Sequence, residues 1–170
     1  MVKKYFFIYI VFFSITNAFS QERNAYVAKD SRNVPINIYE DELSERIKHV
    51  IMEDTLFDIW YFFTIYDNSP LRFKVGVSTI YDKPFLIGWI DKKHCGVHLV
   101  VNESYKTLKL YEKPELDSNY EKIVLERGDW DAIVVDIHPD GFMKIVFRYN
   151  DVIYTGWTKE YCSNPIASCE

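Results

Sequence analysis

The dipeptide Gly-Trp occurs twice in this chain, and what surrounds each copy matches in kind and order. Gly88-Trp89 and Gly156-Trp157 each end a strand-like run, and Cys95 and Cys162 follow within a few residues. Working backwards, Met143, Ile145 and Phe147 alternate with polar or smaller residues as Phe73, Val75 and Val77 do, the pattern of a strand with one buried face. The strong strands before them are 59–66 and 132–137. Asp67-Asn68-Ser69-Pro70 and His138-Pro139-Asp140-Gly141 supply the turn chemistry between. Further back, Leu108-Lys109-Leu110-Tyr111-Glu112 echoes Ile36-Asn37-Ile38-Tyr39-Glu40. The spacing of Leu116, Tyr120, Ile123 and Val124 echoes that of Leu43, Ile47, Val50 and Ile51, which fits one face of a short helix or a long loop. Agreement of order and spacing is the signature of an internal repeat. Each unit is expected to hold about five short strands, and a sheet that small hides its edges by curling into a barrel.

The expected organisation is a signal peptide over 1–20, a loose polar lead-in over 21–33, a first barrel over 34–103 and a second over 104–170. Lys3 and Lys4, the apolar run Tyr5 to Phe13, and small residues Ala18 and Ser20 before Gln21 have the layout of an export signal. A membrane span would need about 20 apolar residues. Removal of 1–20 leaves 18 basic against 25 acidic side chains, a net charge of −7 in place of −5. With no basic stripe, nucleic acid is not an expected partner, because phosphate binding needs clustered Lys and Arg. Export also permits disulfides. Cys162 and Cys169, flanking Ser163-Asn164-Pro165, are the expected pair, which leaves Cys95 over as a buried apolar residue or an exposed thiol.

A strand ending in an apolar-Tyr pair, a long loop, a three-stranded meander and a closing Gly-Trp resembles the bacterial Src-homology-3-like domains of exported proteins. The residues that carry the resemblance are Ile38-Tyr39 with Gly88-Trp89-Ile90, and Leu110-Tyr111 with Gly156-Trp157-Thr158. Thr158 stands where the family usually has an apolar residue. The resemblance covers nearly all of 33–165. It implies an all-β fold of two Src-homology-3-like barrels in tandem, with short helical or loop insertions. It also implies a non-catalytic targeting or ligand-binding role, often directed at wall peptides.

Flat amphipathic rings line grooves for extended peptides. Tyr39, Tyr61 and Trp89 in the first unit, and Tyr111, Tyr149 and Trp157 in the second, are the ligand-binding candidates. Trp89 and Trp157 also suit barrel cores, so Tyr39 and Tyr111 carry most of that expectation. The expected partner is a peptide, a cell-wall fragment or, alternatively, an envelope protein for which this chain acts as an interaction or inhibitor protein. The stretch His94-Cys95-Gly96-Val97-His98 has residue types used in zinc binding or Cys-His catalysis. Zinc would want about four ligands, and no second Cys/His pair has fitting spacing. A histidine three residues from a cysteine rarely aligns with it on a strand. No cofactor, metal or catalytic residue is therefore expected, and a Cys95/His98 enzyme is the weakest alternative.

Overall fold

A computed structural model describes residues 23–53, 59–79 and 83–162, and over these the chain is all-β. In chain order the strands are β1 Arg23–Val27, β2 Ile36–Tyr39, β3 Ile47–Ile51, β4 Tyr61–Asn68 and β5 Arg72–Thr79. They continue with β6 Leu86–Asp91, β7 Cys95–Tyr111, β8 Tyr120–Ile137, β9 Met143–Tyr149 and β10 Val152–Thr158. The ten lie in one sheet of order β10-β9-β8-β7-β1-β4-β5-β6-β2-β3, and β10 also meets β7. Among the described residues the ladders joining these strands are all antiparallel. The proposed signal segment lies outside the described residues. No helix among them is long and apolar enough to cross a membrane.

The meanders follow the sequence pattern. In β9 the alternation of Met143, Ile145 and Phe147 becomes alternate burial, and in β5 Phe73, Val75 and Val77 are fully buried. His138 N–H donates to Phe142 O at 2.9 Å, with Gly141 at φ 82°, which closes the β8–β9 turn. Asn150 (φ 48°) and Asp151 (φ 62°) turn β9 into β10, as expected where both central residues of a two-residue hairpin are left-handed.

Three expectations are corrected. The lead-in is not loose: residues 23–27 form β1, which pairs with β4 on one side and β7 on the other. Ala25, Tyr26 and Val27 are fully buried there, because a strand inside a sheet is covered on both edges. The helix-like spacing of Leu43, Ile47, Val50 and Ile51 is also not a helix. Ile47 to Ile51 is β3, an edge strand hairpinned to β2 through a register shift at Ile38/Tyr39. Only Ile51 of the four is buried, and Leu43 is 81% exposed in the connecting turn. Lastly, the strand closing the first unit and the strand opening the second are one strand. β7 runs through the expected 103/104 boundary, with its register against β8 shifting between Val101 and Tyr105. Among the described residues the only helical pieces are 3-10 turns at Lys29–Ser31 and Lys92–His94.

The two Gly-Trp copies occupy the same structural position. Trp89 pairs across strands with Tyr39, and Trp157 with Tyr111. The preceding glycine lets the apolar-Tyr strand cross at close range. A Cβ on Gly88 would overlap the Ile38 side chain and lie 3.0 Å from Tyr39 O. One on Gly156 would lie 2.7 Å from Leu110 Cβ and 3.3 Å from Tyr111 O. Side chain and carbonyl are contacted in the same order at both places, which gives the repeat a steric cause. Gly88→Ala and Gly156→Ala are each expected to destabilise the protein by about 1–3 kcal/mol by overpacking. Urea unfolding of the two variants checks this, and two values below about 0.5 kcal/mol would remove the steric account.

One core cluster runs through both halves. Ile36, Ile38, Phe63 and Phe73 contribute from the first, and Leu108, Leu125, Val134 and Ile145 from the second. Cys95 and Val97 on β7 belong to it too.

Candidate functional site

The β2–β3 turn is exposed and polar, so something other than burial must hold it against the meander. Arg72, the first residue of β5, does so. Its Nε donates to Asp91 Oδ1 at 3.0 Å, and its Nη1 donates to Ser44 O at 2.6 Å. Weaker contacts reach Asp41 O, Glu42 O and Glu45 Oε1, each at 3.4 Å. The guanidinium carbon stands 3.6 Å from the centre of the Tyr39 ring, a cation–π contact. Arg72 is only 6% exposed. A depression of about 400 Å³ lies here, lined by Tyr39, Glu45, Leu71, Arg72, Asp91 and the Lys92-Lys93 pair.

The corresponding place in the second half is built differently. Tyr111 packs on Tyr120 (5.4 Å between ring centres) and edge-on against Phe142 (5.8 Å). A smaller depression of about 260 Å³ is lined by Tyr111, Glu112, Asn119, Tyr120, Glu121 and Thr155. The first hollow carries three cationic side chains and two carboxylates, the second two carboxylates and no cation.

The six aromatic candidates do not gather into one groove. Tyr39 and Trp89 are neighbours, and so are Tyr111 and Trp157. Tyr61 is half-buried and faces Phe85 at 6.4 Å. Tyr149 is 7% exposed, packs edge-on to Trp130 at 4.9 Å, and its hydroxyl accepts from Glu126 N at 3.3 Å. The order of exposure also differs from expectation. Tyr39 and Tyr111 are each only 8% exposed, whereas Trp89 and Trp157 are half-buried and available at the surface. The Gly-Trp strand turns its glycine inward to Ile38 or Leu110, and strand alternation then points the next side chain outward.

The Cys95/His98 pair is split by β7. Residues three apart on a strand face opposite sides. Cys95 is fully buried in the core, and burial raises its thiol pKa far above the usual range. His98 lies on the other face, its ring centre 4.4 Å from that of Tyr26 and tilted by 30°, with Nδ1 3.3 Å from Asp131 Oδ1. Tyr26 O–H donates to the same Asp131 oxygen at 2.9 Å. His94 is engaged with Ser31 Oγ at 2.7 Å. Among the described residues no group of three or more His, Cys, Asp or Glu is placed to hold a metal ion. Cys162 pairs its backbone with His98, both N–H···O distances being 2.7 Å, while Cys169 lies outside the described residues.

Sequence reasoning passed over Arg72 and Tyr26, and did not bring His98 together with Tyr26 and Asp131. Arg72 is a lone cation in an alternating run, and only the register that sets it opposite Asp91 reveals its role.

No family model matches the chain, and no curated protein matches it. Among solved structures, NlpC2 from Trichomonas vaginalis aligns at 13% identity and a TM-score of 0.33, over 84% of this chain and 48% of that one. This chain thus spans about half the length of that protein, and a likeness so slight says nothing about activity here.

Proposed function

We propose that this chain is an exported, non-catalytic binding protein made of two Src-homology-3-like units, and that its ligand is a peptide or peptidoglycan-type molecule. The observation that carries this reading is the duplicated cross-strand Tyr–Trp pair, each copy with a half-exposed Trp and with its Tyr lining a surface hollow. A partly exposed ring fixed on a strand offers contact area at little entropic cost, which suits it to extended ligands. Trp89 and Trp157 therefore take the contact role, and Tyr39 and Tyr111 form the wall that positions them.

Residues 21–170 are expected to sediment with purified cell-wall sacculi and to stay bound as salt is raised. Combined Trp89→Ser and Trp157→Ser replacement is expected to lower the retained fraction about tenfold, the equivalent of about 1.4 kcal/mol, with the thermal transition checked in parallel. Absence of salt-resistant binding by the unaltered protein would overturn the wall-ligand reading. Capture of a single envelope protein in its place would favour an interaction or inhibitor role.

A further inference from the structure

A further hollow lies elsewhere, where the segment after β1 meets the second half. Ala28, Lys29 and Asp30 form one side, and Trp130 to Ile133, Val146 to Arg148 and Ile153 form the other, around about 430 Å³. That volume falls within the range of small-ligand sites, roughly 300–1,000 Å³. The hollow exists because β1 is inserted between β4 and β7, which carries the following 3-10 turn over to β8 and β9.

Its charges are unusual in their state of pairing. Asp131 is already used, accepting from Tyr26 O–H at 2.9 Å and facing Lys29 Nζ at 3.9 Å. Asp30 and Arg148, in contrast, are both exposed and have no ion-pair partner among the described residues. One free anion and one free cation thus border the same hollow. Ile133, Val146 and Ile153, the last 63% exposed, line the same hollow. Cross-strand pairing sets Ile133 opposite Val146, and Arg148 opposite Ile153.

From these juxtaposed unpaired charges we infer that the hollow is a binding site for a short zwitterionic peptide, its free amino group at Asp30 and its carboxylate at Arg148. The apolar body of the peptide covers Ile133, Val146 and Ile153. A guanidinium can take a carboxylate through two parallel hydrogen bonds, and charge-assisted bonds of this kind are about twice as strong as neutral ones. Each cap removes one of the two charges and a doubly capped peptide offers neither, so the site discriminates by the ends of the chain. It stands apart from the Tyr–Trp surfaces and does not depend on their role.

The test is calorimetric titration of residues 21–170 with the tripeptide Ala-Leu-Ala in four forms: free, N-acetylated, C-amidated and doubly capped. The free form is expected to bind about tenfold more tightly than either singly capped form. Arg148→Gln is expected to abolish the preference for a carboxylate over an amide while keeping that for a free amine, and Asp30→Asn to do the reverse. Both positions are exposed, so the folded state should be unaffected, which the thermal transition verifies. Affinity indifferent to capping, no binding of any form, or unaltered end preferences in the two variants would overturn the site. Tripeptide binding that survives Trp89→Ser and Trp157→Ser would show it to be separate. Loss of sacculus binding alone would count only against the function proposed above.

Discussion

Arg72→Ala should lower the unfolding free energy by about 3 kcal/mol, a large effect for a residue at the start of a strand. Hydrogen bonds to a charged group contribute about 1.5–3 kcal/mol each, and Arg72 makes two at 3.0 Å or less. The full cost of a fully desolvated pair, about 3–5 kcal/mol, does not apply, because the Asp91 side chain keeps 30% of its exposure and can regain water. Glu45 is 88% exposed and adds little. Loss of the guanidinium also uncovers one face of the Tyr39 ring. Arg72→Lys should recover less than half of the loss, since an ammonium cannot hold Asp91 and the Ser44 carbonyl in one planar fork. Urea unfolding gives the energies. Amide exchange over 40–47 shows whether the turn is what loosens. A change below about 1 kcal/mol, or loosening spread evenly over the sheet, would show that Arg72 does not hold the turn.

The contrast between Trp89 and Arg72 shows what could be read in the chain and what could not. Gly88-Trp89 and Gly156-Trp157 were legible because a steric requirement, two backbones crossing closely, recurs in one order and leaves the same residues behind. The hairpins at 67–70 and 138–141 were legible because turn chemistry is local. β1 was not, since a strand paired on both edges needs no alternation, and Arg23-Asn24-Ala25-Tyr26-Val27 shows none. β3 was misread because an exposed edge strand loses the period-two signal, and Ile47, Val50 and Ile51 then suit a helix face equally well. The polar contacts of Arg72, and the placing of Asp30 and Arg148 on one hollow, depend on register and strand order. Those are properties of the whole sheet, visible in no single window of sequence. Strand order also changes the picture of two separate units: β1 and the long β7 join the halves, and the hollow at their junction belongs to both.

Raising the pH from about 4.5 to about 7 should cost the protein about 3 kcal/mol of stability through one carboxyl group, Glu53. Glu53 follows β3 and is 1% exposed. Its Oε1 accepts from Tyr61 N at 3.2 Å. Its Oε2 has no hydrogen-bond partner among the described residues, with Arg32 Nε standing 3.8 Å away. Arg32 is turned instead toward the Trp60 and Tyr26 rings, at 5.2 and 5.8 Å. Burial pushes the carboxyl pKa up from 4.5 to about 7, and the Tyr61 N–H and the Arg32 charge offset only part of that. The folded state therefore holds this proton over a range where the unfolded chain has released it. A state that binds more protons is favoured at lower pH, so this contribution is fully present below about pH 4.5, shrinks through neutrality and is gone above about pH 7. The direction is opposite to that of an ordinary ion-paired carboxylate. Glu53→Gln keeps the acceptor for Tyr61 N–H and cannot ionise. Its stability should match that of the unaltered protein near about pH 4 and exceed it by about 2–3 kcal/mol near about pH 8.5. Urea unfolding of both proteins at several pH values decides the matter, and parallel curves would show that Glu53 ionises normally. Because Glu53 ties the end of β3 to the first residue of β4, the same titration should loosen the hairpin that carries Tyr39. Amide exchange across β3 should accelerate between those pH limits beyond the intrinsic rise, and Glu53→Gln should suppress the excess.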